Sequence, residues 1–331
     1  MKYLLPFLLL SVSVKAQDSS KQTTGFVFED VDDSPVKVYC NQKVLNQSPN
    51  KFISVGYEYQ SSTAFSSKES FVNERRNFKA MHGLRVNFNT PVIAKNKIIV
   101  NLSGQYARTA FAANNYSHSY LFTQLQQNGL HTAGLGTTIF KPLNSKNFIV
   151  FQTSVDANWL AQELKQIQTN ALTISASVIY GWKKNDNEMF GVGASRTYRL
   201  GRIIYVPVIL YNKTYNDKWG VEVTFPARAH VRRNINPKSL LLLGYELEGN
   251  QYAVYNHNQV TTFLQRGEIK PRLMYERSLF GFWWLSVQAG LRINGRFNVV
   301  NKYDGKENNQ ILTNTLGNTF YCNVSINLVS L

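Results

Sequence analysis

The stretch Asn147-Phe148-Ile149-Val150-Phe151-Gln152-Thr153-Ser154-Val155-Asp156-Ala157-Asn158-Trp159-Leu160 decides the fold. Ile149, Phe151, Thr153, Val155, Ala157 and Trp159 share one face, and Gln152, Ser154, Asp156 and Asn158 share the other. A period of two held this long marks a β-strand with one apolar and one polar face. Ordinary strands average about five or six residues, whereas about 9–11 tilted residues are needed to cross a bilayer. The pattern recurs. Leu172, Ile174, Ala176, Val178, Tyr180 and Trp182 alternate with Thr173, Ser175 and Ser177. Leu285, Val287, Ala289, Leu291 and Ile293 alternate with Ser286, Gln288, Gly290, Arg292 and Asn294, and Phe320, Cys322, Val324, Ile326 and Leu328 alternate with Tyr321, Asn323, Ser325 and Asn327.

Worked outward, the pattern gives segments at 51–60, 78–90, 98–112, 130–141, 148–160, 171–182, 189–199, 203–211, 218–225, 227–235, 239–248, 262–276, 282–296 and 317–330. These predict an all-β, antiparallel, up-and-down transmembrane barrel of 14 strands. Twelve is the alternative, because Trp219, Val221, Val223, Phe225, Ala227, Ala229 and Val231 keep one phase and only Pro226 argues for a break. Polar connections at 61–77, 113–128, 249–261 and 297–315 are long, while those near 91–97, 141–147, 183–188, 236–239 and 276–281 are short and rich in turn residues. Long outer loops and short periplasmic turns are the habit of membrane barrels. Trp159, Trp182, Trp219, Trp283 and Trp284 all sit near strand ends, as an aromatic girdle at the membrane–water boundary requires.

Composition agrees. The chain of 331 residues is 44% hydrophobic, 13% aromatic and only 17% charged, yet its mean hydropathy is −0.26. Fine-grained alternation reconciles a charge-poor, aromatic-rich chain with a polar average. No apolar run after residue 14 is long enough for a membrane helix, and the even spread of large apolar residues excludes disorder. A plug plus a 22-stranded transporter barrel does not fit in this length.

Met1-Lys2-Tyr3 followed by apolar Leu4 to Val14 and then Lys15-Ala16 reads as a secretory signal cleaved after Ala16. Its removal takes Lys2 and Lys15 away and lowers the formal charge from +16 to +14. No cysteine follows the cut, so the signal is not of the lipoprotein kind. Residues 17–50 form a polar periplasmic leader, and 51–331 the barrel domain. The acids Glu29, Asp30, Asp32 and Asp33 lack the spacing and glycine of a calcium loop and read as a solvated leader. Cys40 and Cys322 are the only cysteines. Cys322 lies on an apolar face and reads as a packed free thiol.

Catalytic signatures are missing. His82, His118, His131, His230 and His257 are scattered, no zinc spacing exists, and neither a GxSxG elbow nor a phosphate-binding loop occurs. Gly134-Leu135-Gly136 and Gly191-Val192-Gly193 lie within strands and read as packing or lumen space. No metal or cofactor is expected. Charge on the polar face is the informative feature. Arg266, Glu268, Lys270, Arg272 and Glu276 share a phase opposite Ile269, Pro271, Leu273 and Tyr275. Glu222, Arg228, His230 and Arg232 share one phase, Glu246 and Glu248 lie opposite Tyr245 and Leu247, and Arg292 lies opposite Leu291 and Ile293. A Lys or Arg facing lipid at the midplane costs about 2–4 kcal/mol, so these charges are expected to face the lumen. There they form either a ladder of paired charges filling it or a pore whose excess cations favour anions.

Tyr211-Asn212-Lys213-Thr214-Tyr215-Asn216-Asp217-Lys218-Trp219-Gly220-Val221-Glu222, continued by Phe225-Pro226-Ala227-Arg228 and by Gly244-Tyr245-Glu246-Leu247-Glu248-Gly249-Asn250, resembles a family of outer-membrane β-barrel proteins of Bacteroidota that is filed as a domain of unknown function. The resemblance is sharpest over 196–250 and extends over roughly 50–331. It implies a barrel in the outer membrane of a Gram-negative bacterium and no known activity. The chain departs from the usual barrel ending, since its apolar phase stops at Leu328 and Leu331 is not aromatic.

The expected protein is exported by a Sec-type route and inserted by the barrel assembly machinery, in contact with outer-membrane lipid and lipopolysaccharide. It passes small polar or anionic solutes. The alternatives are a non-conducting structural or surface-interaction barrel and, third, a barrel enzyme acting on lipid. No nucleic-acid motif appears.

Overall fold

A computed structural model describes residues 38–69, 72–113, 117–160, 172–198, 201–255, 261–301 and 310–330. The signal, the acidic cluster at 29–33 and His257 lie outside them.

Alternating residues form the strands β1 (Asn50–Gln60), β2 (Thr63–Glu69), β3 (Val72–Phe78), β4 (Ala80–Lys95), β5 (Ile98–Ala112), β6 (Leu130–Pro142), β7 (Asn147–Leu160), β8 (Leu172–Asn185) and β9 (Glu188–Thr197). They continue as β10 (Ile204–Thr214), β11 (Trp219–Phe225), β12 (Arg228–Asn236), β13 (Ser239–Tyr255), β14 (Thr261–Phe280), β15 (Trp283–Val300), β16 (Gln310–Leu316) and β17 (Thr319–Ser330). Fourteen of them make a closed antiparallel barrel. β1 pairs with β4, successive neighbours pair from β4 to β15, and β15 pairs with β17. β17 closes the ring on β1, from Asn50 opposite Ser330 to Gln60 opposite Tyr321. The remaining three, β2, β3 and β16, prolong the wall at one end.

The break at Pro226 is real. Thr224 faces Arg228 and Val223 faces Ala229 across a two-residue turn. Antiparallel partners centred on one residue have the same parity, so the apolar phase runs through the turn unchanged. That is why one phase spans two strands here.

Turns of two to four residues join β4 to β5, β6 to β7, β8 to β9, β10 to β11, β12 to β13 and β14 to β15, all at the end that holds Asn50 and Ser330. Connections of five residues or more occupy the other end, with the β11–β12 turn as the exception. Ile53, Val55, Phe151, Ile174, Val178, Leu243, Leu273 and Ile326 are exposed on the outer wall, while Glu58, Arg232, Glu268, Ser286 and Arg292 are buried within. This inverts the distribution of a water-soluble protein and is that of a membrane-spanning barrel.

All four stretches expected to be long loops contain regular structure, and 249–261 holds the end of β13 and the start of β14. The 61–77 and 297–315 connections contain the β2–β3 ribbon and β16, whose inward positions mix Phe65 and Leu312 with Thr63, Ser67 and Asn314. Within 113–128 lies the helix α1 (Tyr120–Asn128), whose Leu121, Phe122 and Leu125 share one helical face. That face fills the loop end of the barrel. It packs against Phe65, Phe78, Met81, Phe111, Leu130, Leu160, Tyr252, Leu264 and Phe297, and Phe122 stacks on Phe78 with ring centroids 4.5 Å apart. Glu74 pins the helix start, since its carboxylate accepts from the Ser117 hydroxyl at 2.6 Å and from the His118 and Ser119 amides at 3.1 Å each.

The turn end is filled too. Residues 40–48 run along successive turns. Cys40 N–H donates to Asn144 O (3.1 Å), Leu45 N–H to Asp186 O (2.8 Å), and the Asn46 amide to Asp217 (3.4 Å). Cys40 and Val44 pack on the inward Phe140, Phe148 and Met189. Lys183 holds this strap by donating to the Asn41 side chain and to Lys43 O. On the opposite side Leu240, Leu242, Met274, Trp284 and Val329 pack together.

The Glu74 carboxyl, although burial opposes it, is held below its ordinary value of 4.5 by Ser117, Ser119 and Arg76. A depressed carboxyl stabilises above its unfolded pKa and loses that contribution as pH falls through the folded one. The protection factors of the 117–128 amides against hydrogen exchange are therefore expected to fall below pH 4.5 in wild type and to be already low at neutral pH in Glu74→Gln. Burial pushes the Cys40 thiol up, against a backbone hydrogen bond and Lys183. Its alkylation in folded protein should be slow and should accelerate in Lys183→Ala, which frees the strap.

Candidate functional site

The lumen divides into an ion-pair lattice and an open compartment. Inward positions on β1, β4, β13, β14 and β15 place Glu58, Arg85, Glu248, Arg266, Glu268, Lys270 and Arg292 together. Arg292, 0% exposed, reaches Glu58 at 2.6 Å and Glu248 at 3.4 Å and also pairs with Glu268. Arg85 spans Glu58 (3.2 Å) and Glu248 (3.3 Å). Lys270 lies 2.6 Å from Glu248, and Arg266 lies 3.3 Å from Glu268. Lys270 and Arg292 also sit over the Tyr321 ring, 5.3 and 5.4 Å from its centroid. Each carboxylate is shared between cations, so neither sign is left in excess by more than one charge.

The other expected charges form smaller groups. Arg272 pairs with Glu246 at 2.6 Å. Glu276 meets Lys51 at 2.5 Å and accepts from Ser286 at 2.8 Å. Glu222 pairs with Arg232 at 2.7 Å and accepts from Ser48 of the strap at 2.8 Å. Arg228 stands at the end of β12 opposite Glu246. Glu58, Arg85 and Lys51 were missed by the sequence reading, although Tyr57-Glu58-Tyr59 and Leu84-Arg85-Val86 place a charge between outward residues just as the others do.

Of the five tryptophans, Trp182, Trp219 and Trp283 are exposed on the outer wall at the turn end. Trp284, 3% exposed, points into the barrel, because neighbours on a strand face opposite sides. Trp159 is equally buried at the loop end, stacked on His131 with centroids 5.4 Å apart. Cys40 and Cys322 are both free thiols. His230 faces the lumen and His82 accepts or donates a 2.7 Å hydrogen bond with Tyr57 on the outer wall.

The compartment lies beside β5–β12. It is a cavity of about 360 Å³. It is lined by the hydroxyl and amide groups of Ser103, Thr138, Gln152, Ser154, Ser175, Ser177 and Ser195, with Ile179, Ile204, Val206 and Val208 on the same and neighbouring strands. Glycine is required in the wall beside it. A Cβ on Gly134 would fall 1.8 Å from Asp156 Oδ1, and one on Gly136 would fall 2.8 Å from Ser103 Oγ. Toward the helix, Thr132, Asn158 and Thr173 are linked by hydrogen bonds of 2.8 and 3.0 Å. The arrangement can hold a small molecule by hydrogen bonds to the hydroxyls and apolar contact with the aliphatic side chains among them.

Removing one partner of a buried ion pair leaves an uncompensated charge. Arg292→Ala, which strips the common cation from three carboxylates, should lower barrel stability by about 3–5 kcal/mol. The check is the denaturant midpoint of heat-modifiable gel migration. Lys184→Ala, at an exposed pair with Glu188 3.9 Å long, should shift it by less than about 0.5 kcal/mol.

No curated protein matches the chain. Among solved structures it is similar to an outer-membrane channel of Pseudomonas putida F1, with 9% identity over 86% of this chain and 98% of that one and a TM-score of 0.38. It is similar to a FadL homologue of Pseudomonas aeruginosa at 7% identity over 84% and 91%, TM-score 0.39. It is also similar to the Pseudomonas putida toluene transporter TodX at 8% identity over 88% and 95%, TM-score 0.33. Residues 43–328 match one family throughout, and the chain belongs to it: Domain of unknown function (DUF6268).

Proposed function

We propose that this barrel works in the outer membrane of a Gram-negative bacterium, after Sec-type export, as a selective channel for small polar solutes. The hydroxyl-lined compartment carries this reading. Two lines of Ser and Thr side chains inside a barrel with an apolar outer wall keep a polar volume where a purely structural barrel would pack side chains. The lattice supplies little anion preference, because three of its four cations are balanced by Glu58, Glu248 and Glu268. The solute favoured is therefore small, with hydrogen-bonding groups. Insertion by the barrel assembly machinery and contact of the basic loops with lipopolysaccharide phosphates belong to the same proposal.

A non-conducting barrel is the second reading. The observation that favours it is the filling of both ends, by α1 at the loops and by residues 40–48 at the turns.

Swelling of proteoliposomes in a small polyol separates the two. Wild type should swell faster than protein-free vesicles, and Ser154→Trp with Ser177→Trp, which fills the compartment, should return swelling to that background. In planar bilayers under a KCl gradient the reversal potential should lie near zero. Folded wild-type protein that neither swells nor conducts supports the second reading.

A further inference from the structure

Outward cations recur at one level of the wall. Each of the six turns at the end that holds Asn50 and Ser330 is entered by a strand with an outward Lys or Arg in its last four residues. These are Lys95 on β4, Lys141 on β6, Lys184 on β8, Lys213 on β10, Arg233 on β12 and Arg277 on β14. Register fixes their side. Lys95 faces Ile98, Lys141 faces Ile149 and Arg277 faces Leu285, one residue out of phase with the inward Ile99, Phe148 and Trp284. The turns add Lys97, Lys146, Lys218 and Lys238. From each outward cation through its turn, the six ends together hold ten Lys or Arg and three acids, Asp186, Glu188 and Asp217.

Aromatic residues set their depth. Trp182, Trp219 and Trp283 are exposed on the same wall, and indole rings settle at the headgroup boundary. Lys184 lies two residues beyond Trp182, ~5 Å farther from the bilayer centre at ~3.3 Å per residue and a ~45° tilt. Arg233 is directly across from Trp219, with its guanidinium 5.1 Å over the ring centroid. Lys213 lies 5.4 Å over the Tyr215 ring. The cations therefore stand among headgroups, their stems along the apolar wall. The protein neutralises few of them. Among the described residues Lys184 and Lys213 share Glu188, at 3.9 and 3.3 Å, whereas Lys95, Lys141, Lys238 and Arg277 have no ion-pair partner. The β12–β13 and β14–β15 turns also frame a cleft of about 640 Å³, lined by Lys238 and Arg277 with Tyr275, Ser278, Ile235 and Leu279.

We propose that this belt binds anionic phospholipid headgroups of the leaflet at the turn end, with the Lys238–Arg277 cleft as the best-formed place for one phosphate. Short turns mark the periplasmic end of a membrane barrel, so the leaflet is the inner one, away from lipopolysaccharide. An anionic phospholipid matches the surface twice. Its headgroup meets a ring of unpaired cations, and its acyl chains run along the exposed Ile209, Val231, Leu243 and Leu273 that adjoin the ring. An acidic protein would match the charge alone. A zwitterionic lipid carries the same phosphate, but its own cation cancels most of the attraction. The binding is independent of what the compartment holds.

The test uses full-length protein in phosphatidylcholine vesicles holding a trace of phosphatidylglycerol or of phosphatidylcholine, each spin-labelled at the same point of one acyl chain. Electron spin resonance gives the share of each label in the motionally restricted shell around the barrel. Phosphatidylglycerol should associate about threefold more strongly at low salt. The preference should vanish in about 1 M KCl, where the screening length falls to ~3 Å. Lys95→Gln, Lys141→Gln, Lys184→Gln, Lys213→Gln, Arg233→Gln and Arg277→Gln together should bring the ratio to unity. Heat-modifiable migration verifies folding. If the sixfold variant does not fold, the first three changes and the last three, made separately, should each remove about half of the preference on a logarithmic scale. Lys68→Gln with Arg108→Gln, exposed at the loop end, should leave it in place. A ratio of unity in wild type leaves the belt to an acidic periplasmic protein and overturns the proposal. So does a preference that survives loss of the belt, or one that falls with Lys68 and Arg108 instead.

Discussion

Everything in this barrel follows from the cost of a charge in hydrocarbon. An Arg or Lys on the lipid face at mid-depth costs about 2–4 kcal/mol, and an unpaired backbone group costs several more. The first penalty drives every strand's polar residues inward, and the second forces the sheet to close, β17 onto β1. Once inside, the charges must be satisfied by one another. Arg292 shared among Glu58, Glu248 and Glu268 is the densest result. It ties β1, β13, β14 and β15 along one arc of the ring, linking strands that backbone hydrogen bonding does not pair directly.

The same inward pressure splits the lumen chemically. On the β13–β17 side long charged residues neutralise each other and use up the space. On the β5–β10 side many inward positions are Gly, Ser and Thr, too small to fill it, with Ile179, Val206 and Val208 among them. A compartment is left beside a rigid lattice. It lies beside β11 and β12, the shortest strands of the fourteen in the ring.

Most of the wall was legible in the sequence because alternation is strict wherever one face meets lipid. All fourteen barrel strands, including the division at Pro226, were read from it. The ribbon β2–β3, β16 and α1 were not, because beyond the membrane both faces of a strand meet water or protein and the period-two signal decays. The helix signal in Leu121, Phe122 and Leu125 is only three residues long. Trp283-Trp284 shows the limit of reading residues by type: adjacent tryptophans cannot both sit on a girdle, and parity places Trp284 inside. Glu58 and Arg85 obeyed the rule that found Arg292; each lies in a strand with few other charges, so no run of them drew attention. The strap at 40–48 carries no periodicity at all, since its contacts are with turns far away in sequence.

The central claim is that the wall is inside-out with a period of two. It is tested most directly by spin labels placed singly at residues 172–180 of β8 in lipid vesicles, with accessibility measured to oxygen and to a water-soluble nickel chelate. The account predicts strict alternation: labels at Leu172, Ile174, Ala176, Val178 and Tyr180 meet oxygen dissolved in lipid. Labels at Thr173, Ser175, Ser177 and Ile179 are shielded from it. A flat profile, or one repeating every three to four residues, would contradict it.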